Sequence, residues 1–266
     1  MKKIHPSAVV ESGAVLADDV EIGPFCYVGP HVQIGAGCRL IAQCHITGYT
    51  TLGEQNVLHP FVALGDEPQD YSFDPACVSY LRIGDRNTFR ENVTIHRGTK
   101  PESETLVGSD NLFMAGSHVG HNGKIGNHVI LVNNALVGGY AEIFDHAILS
   151  GLVAIHQFCR VGRFAIISGC SAFSQDVPPF MMAEGRNGGV KMINKIGLQR
   201  AGFSAESISI IKQIFHIYYR SDLIPSAALK QIREELPQTP EVVEFLEFCA
   251  GTKKGVLSCH TDNHRN

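Results

Sequence analysis

Large apolar residues recur at every sixth position for most of this chain, a period that neither a helix nor an ordinary strand accommodates. From Ile4 the register runs Val10, Leu16, Ile22, Val28, Ile34, Leu40, Ile46, Leu52, Leu58 and Leu64. It resumes at Ile83, Phe89 and Ile95, and runs again from Val107 to Phe173. Helices repeat every 3.6 residues and strands every two. A six-residue repeat instead describes one short flat strand and a corner, and three such repeats close one triangular coil of a parallel β-helix. The fold class is therefore mainly β, a solenoid of roughly nine coils.

Two residues before the periodic position the side chain is usually small, as at Ala14, Cys26, Cys38, Cys44, Ser117, Ala135 and Cys159. Such a residue turns inward at a corner, where a larger one would overfill a narrow prism. Glycine often follows the periodic residue (Gly23, Gly35, Gly84, Gly108, Gly126, Gly138), as expected of tight corners that need positive φ. Four of the eight cysteines fill the small inward slot, so packing accounts for them better than chemistry does.

With 44% hydrophobic residues and a net charge of −4, the 266-residue chain has ample core and lacks the basic character of a nucleic-acid binder. The opening MKKIHPSAVV enters the first repeat directly, leaving no space for a signal peptide, and no apolar run reaches membrane-spanning length. Core thiols without an export signal point to the cytoplasm.

Two loops interrupt the register, at 66–82 and 97–106, and loops ejected from a rigid scaffold are where recognition usually sits. The coil occupies 1–185. QDVPPF (175–180) stops the strands and EGRNGG (184–189) makes a flexible crossing. From about Met192 the period becomes helical, giving a C-terminal α-helical domain over 186–254. Ser204 caps a helix with Ile208, Ile211, Phe215 and Tyr218 on one face. Leu229, Ile232 and Leu236 mark a second helix, and Thr239-Pro240 opens a third. Residues 255–266 read as a disordered tail, in which Cys259, His260 and His264 are a weak metal motif.

Positions 18 apart stack on successive coils at strand spacing, about 4.8 Å. His121, Gly139 and Gln157 form one column; Asn133, Gly151 and Gly169 form another. Missing side chains on successive coils leave a trough that suits a linear apolar chain, although glycine also simply eases corners. His118 and His121 straddle Val119 outside the packed interior, and His96 and His156 follow Ile95 and Ile155. An outward histidine on a rigid coil suits a general base. Zinc ligation fits the three-residue gap between His118 and His121 poorly.

The segments IGPFCYVGPHVQIG (22–35), IGDRNTFRENVTIHRGT (83–99), VGSDNLFMAGSHVGHN (107–122), IHQFC (155–159), GCSAFSQDVPPF (169–180) and RAGFSAESI (200–208) closely resemble the acyl-carrier-protein-dependent UDP-N-acetylglucosamine O-acyltransferases of lipid A synthesis. The resemblance spans nearly the whole chain. It implies a left-handed coil and a homotrimer with active sites between subunits. It also implies acyl carrier protein as donor, a UDP-sugar as acceptor, and no metal or cofactor. On this resemblance His121 is the general base and the Gly139 N–H holds the oxyanion. Asp70, His96 and His118 match sugar contacts, and His156 and Gln157 lie beside the base at the subunit interface. Asn194 and Arg200 match nucleotide-phosphate contacts. Asn133 lines the acyl path, and Gly169 sets acyl length.

Five positions depart from that pattern. Asn122 stands where an aspartate is expected, Ser72 replaces a lysine and Tyr140 a histidine, and Ile196 and Ala201 replace a glutamate and an arginine. These changes leave open an acceptor such as the 3-amino analogue of the sugar. A non-catalytic trimer that binds acyl carrier protein is the alternative of a different class.

Overall fold

The computed structural model describes residues 2–185 and 188–259. Each strand of the coil pairs in parallel with the third strand after it, producing three faces that begin at Lys3–Ile4, Val9–Val10 and Val15–Leu16. The result is a left-handed parallel β-helix, against the right-handed rule for strand crossovers. Partners are 18 residues apart along most of it, as for Glu21 with Arg39 and His118 with Leu136. The spacing grows to 31 between Val57 and Thr88 and to 24 between Thr94 and His118, where the two loops are inserted. Both loops are shorter than expected. Tyr80–Ile83 and Glu104–Val107 pair with each other on the third face, so 80–82 and 104–106 belong to the coil.

The periodic residues fill the prism: Val28, Ile46, Leu58, Phe89, Phe113 and Leu131 are fully buried. The small inward slots also behave as expected, with Cys26, Cys38, Cys44, Ala135 and Cys159 buried beside them. On one corner that slot holds asparagine in three successive coils. Buried Asn56 accepts the Asn87 N–H at 2.9 Å, Asn87 accepts the Asn111 N–H at 2.9 Å, and Asn111 accepts the Val129 N–H at 2.6 Å. The ladder satisfies amides that would otherwise be costly to bury.

Except for Gly65, at φ 77°, the glycines that follow the periodic residue are not there for positive φ. A Cβ on Gly23 would lie 1.8 Å from the Ile41 carbonyl oxygen, and one on Gly108 would lie 2.6 Å from that of Gly126. They are glycines because the next coil's backbone passes too close. Positive φ falls two residues later and is borne by ordinary side chains, among them Asn122, Tyr140, Phe158, His128, His146 and Phe164. That conformation costs energy, and ring stacking up the corner offsets part of the cost. Tyr140 stacks on Phe158 at 5.0 Å, and His146 on Phe164 at 4.5 Å.

The strands also run further than expected. Met181–Glu184 still pairs with Ile166–Ile167, and Gly189–Ile193 returns antiparallel to it, so a hairpin stands where a flexible crossing was expected. Among the described residues four helices follow: α1 (Lys195–Arg200), α2 (Ala205–Tyr219), α3 (Pro225–Glu235) and α4 (Pro240–Ala250). Ser204 caps α2 as expected, accepting the Ser207 N–H. Its most buried residues are Ile210, Ile211, Ile214, Phe215 and Tyr219; Ile208 and Tyr218 are only partly covered. α2 is therefore packed on two sides, against the hairpin and against α3 and α4. The expected disordered tail is ordered to Cys259: Val256 bridges Asp176, Leu257 is buried, and its carbonyl accepts the Tyr219 hydroxyl at 3.1 Å. His260 and His264 lie outside the described residues.

Candidate active site

The second face carries Thr94–His96, His118–Val119, Leu136–Val137 and Ala154–Ile155 in successive coils. Because side chains alternate across a strand, the inward Val119 turns His118 outward. His121 follows at the corner leading to the third face. The coil above presents Gly139 to its ring: a Cβ there would lie 2.7 Å from both Cε1 and Nε2 of His121. Glycine at 139 thus creates the space the imidazole occupies. On the neighbouring corner the equivalent amides are capped from coil to coil, Glu54 by Asp85 and Ser109 by Asn127. The Gly139 N–H has no such acceptor among the described residues.

His121 Nδ1 lies 3.1 Å from Asn122 Oδ1. The same oxygen accepts the Thr99 N–H at 3.0 Å and the Thr99 hydroxyl at 2.9 Å. A backbone N–H can only donate, so the atom facing it is the carbonyl oxygen of the amide. Nδ1 must then carry the ring proton and Nε2 the lone pair. The Tyr140 hydroxyl lies 3.1 Å from the Thr99 hydroxyl, and the Tyr140 ring meets the His121 ring edge-on at 5.3 Å.

His96 was expected to face outward, yet it is only 7% exposed, covered where the first loop leaves the coil beside Asp66. Its ring meets that of His118 at 5.0 Å. Burial, with smaller contributions from the His96 and His121 charges, pushes His118 down to about 4, so this ring is neutral near pH 7. Burial likewise lowers His96. His118 Nδ1 lies 2.7 Å from the Thr94 hydroxyl. Asp70 reaches the same cluster from the first loop. Its carboxylate is held below the usual range by the Ser72 N–H and hydroxyl, and then by the His121 charge. Ser72 thus fastens Asp70 locally. Among the described residues no three His, Cys, Asp or Glu side chains form a metal-holding group.

The chain is 44% identical over 259 residues to the acyl-[acyl-carrier-protein]–UDP-N-acetylglucosamine O-acyltransferase of Thermodesulfovibrio yellowstonii, covering 96% of this chain and 99% of that protein. It is 45% identical over 257 residues to the enzyme of the same name from Syntrophobacter fumaroxidans, with the same coverage. The crystal structure of the UDP-N-acetylglucosamine acyltransferase of Bacteroides fragilis matches with a TM-score of 0.92 at 40% identity, over 95% of this chain and 99% of that one. The chain belongs to the acyl-[acyl-carrier-protein]–UDP-N-acetylglucosamine O-acyltransferase family.

The model of the second domain of UDP-N-acetylglucosamine O-acyltransferases matches residues 176–257, which takes in the ordered segment after Gly255. In this acyltransferase the structure gathers His96, His118, His121, Gly139 and Asp70 within a single chain. His156 and Gln157 are exposed one coil beyond Gly139, and the His156 Nδ1 lies 3.1 Å from the Gln157 carbonyl. Asn133 and Gly169 are exposed on the corner between the first and second faces, a face-width from His121. Asn194 and Arg200 lie at α1, just after the hairpin that follows the last coil. Asn194 is the buried N-cap of α1, accepting the Gly197 N–H and donating to the Phe164 carbonyl, while Arg200 is exposed in the last turn. Sequence reasoning missed Thr94, Thr99 and Thr105. The coil register, extended across the second loop, would have paired Thr94 with His118, but the contact of Thr99 with Asn122 lies outside that register. Among the described residues no helix is long and apolar enough to cross a membrane.

Proposed function

We propose that this acyltransferase moves an acyl group from the thioester of acyl carrier protein to the 3-hydroxyl of UDP-N-acetylglucosamine, the first step of lipid A synthesis, in the cytoplasm. The observation that carries the reading is the state of His121: proton on Nδ1, lone pair on Nε2, and an unspent backbone N–H beside it at Gly139. Nε2 takes the hydroxyl proton as the sugar oxygen attacks the thioester carbonyl carbon. The Gly139 N–H stabilises the resulting oxyanion. Collapse breaks the carbon–sulfur bond, and the imidazolium returns its proton to the departing thiolate. Neutral His118, buried His96 and the Asp70 carboxylate orient the sugar. Mixing the protein with acyl carrier protein thioesters of several lengths and either UDP-N-acetylglucosamine or its 3-amino analogue, with products read by mass, tests this. An O-acylated sugar is expected. Product from the amino sugar alone would move the acceptor, and no product from any pair would leave the non-catalytic reading standing.

A homotrimer completes the site in this reading. One chain leaves His121 on an open face, with the apolar Leu136 46% exposed on the second face and Phe158 47% exposed on the same corner as His121. Asn194 and Arg200 would reach the nucleotide phosphates from a neighbouring subunit, Arg200 as the charge and Asn194 by holding the start of α1. His156 and Gln157 would line the seam. Asn133 and Gly169 would flank the acyl chain. A Cβ on Gly169 would meet only the Gly151 carbonyl at 3.2 Å, so the space beyond it is open. Each methylene buried there is worth about 0.8 kcal/mol. Gly169→Met is therefore expected to shift the donor preference to chains several carbons shorter while the short donor still reacts. Equal loss on both donors would make Gly169 a corner residue only.

A further inference from the structure

We propose that Thr99 is a positioning residue: it aims the Asn122 carbonyl at Nδ1 of His121 and thereby leaves Nε2 as the basic nitrogen. The need arises from asparagine itself. A carboxylate at this place offers an acceptor whichever way it rotates, whereas an amide has an acceptor end and a donor end. With its NH2 toward His121, Asn122 would favour the tautomer that carries the proton on Nε2, and that nitrogen could accept nothing. Thr99 removes the ambiguity with two donors on one oxygen, at 3.0 and 2.9 Å. Turning the amide would set the Thr99 N–H against an NH2 group and would force the hydroxyl to give up its donated bond.

The second loop and the strand that follows it hold Asn122 from two sides. Thr99 holds the Asn122 side chain, and the Thr105 hydroxyl accepts the Asn122 N–H at 2.7 Å, fixing a backbone already at φ 58°. Asn122 is only 7% exposed, so water competes weakly for its amide. The Tyr140 hydroxyl occupies the remaining side of the Thr99 hydroxyl, so that the threonine's own proton points to Asn122. Ejecting a loop between Thr94–His96 and Glu104–Val107 thus has a function that the repeat alone could not supply.

The inference rests on His121 as the base, but its first readout does not. Nitrogen-15 spectra of histidine-labelled protein report which ring nitrogen of His121 is protonated, without turnover. Wild type should carry the proton on Nδ1; Thr99→Val loses the hydroxyl donor but keeps the backbone N–H of residue 99, so it should admit a measurable fraction of the other tautomer, and Thr99→Ser should restore the wild-type pattern. In turnover, Thr99→Val should lower kcat/KM about tenfold, as loss of an orienting partner typically does. The decisive comparison is a double-mutant cycle: in the Asn122→Asp background the same threonine change should cost less than about threefold, because a carboxylate needs no orienting. Asp70, His96, His118 and Tyr140, the other titratable groups around the ring, are present in every member of the cycle and drop out of it. Equal losses in both backgrounds, or a Thr99→Val protein with the wild-type tautomer, would overturn the proposal. If Thr99→Val fails to fold, Tyr140→Phe keeps the ring but removes the hydroxyl behind Thr99; it should shift the tautomer the same way, and an unchanged spectrum would count against the proposal. Normal turnover by His121→Ala would remove the base assignment while leaving the tautomer result to judge Thr99.

Discussion

His121→Ala is expected to lower kcat by at least about a hundredfold, the lower end of what general bases contribute, with the fold intact. The side chain is half-exposed and lies at a corner, outside the buried core. Its one side-chain hydrogen bond among the described residues is to Asn122, whose oxygen keeps both bonds from Thr99 when the ring is gone. No core cavity forms and no buried polar atom is stranded, so thermal melting should move little. No neighbouring ring can take over. His118, at about 4, holds a proton too weakly to accept one from a sugar hydroxyl near neutral pH, and burial pushes His96 in the same direction. Single-turnover measurement with an acyl carrier protein thioester beside a melting curve checks both halves. Near-normal turnover would take His121 out of the mechanism.

The six-residue period made the coil legible because each repeat packs only against its neighbours, so local pattern and global fold carry the same information. Val28, Phe89 and Leu131 are buried for the reason the period implies. The glycines were misread because sequence shows where a side chain is missing, not what takes its place. At Gly23 and Gly108 the answer is the backbone of the next coil, and the positive φ falls on Tyr140, Phe158 and their kind instead. The C-terminal hairpin and the ordered segment to Cys259 escaped notice because each strand is paired from outside the repeat: Asp176 with Val256, and Val190 with Cys259.

Within the site, whatever obeys the 18-residue spacing could be read directly. His121 over Gly139 is such a pair, one coil apart. Thr99 on Asn122 is not, for its loop breaks the count and the contact forms 23 residues apart. Burial is the other quantity the pattern hides. His96 and His118 both flank periodic residues and read alike as outward, yet His96 is only 7% exposed, and burial lowers both rings, His118 to about 4. The scaffold can thus be read from spacing, while the chemistry of its histidines depends on what the ejected loops cover.

The strongest consequence of the column is that Gly139→Ala should abolish most activity without weakening the protein. The backbone at 139 does not lie in the left-handed region, so alanine is allowed there. Replacing glycine at a compatible position usually adds about 0.4–1 kcal/mol of stability by restricting the unfolded chain. What the new methyl group meets is the His121 ring, whose Cε1 and Nε2 must retreat from 2.7 Å to at least 3.4 Å for ordinary contact. The ring is the free end of a side chain and can move, so the coil survives. Its 3.1 Å bond to Asn122 does not survive that movement, because Thr99 and Thr105 hold Asn122 still. A base displaced by about an ångström typically loses on the order of a hundredfold in rate. The N–H of residue 139 remains, so the loss reports on the position of the base and not on the oxyanion donor. The expected signature is kcat down about a hundredfold, KM for the nucleotide sugar within about threefold, and a melting temperature equal to or above wild type. Full turnover in this variant would show that Nε2 does not act from where the coil places it. A protein that unfolds would show that glycine at 139 serves the corner and not the histidine.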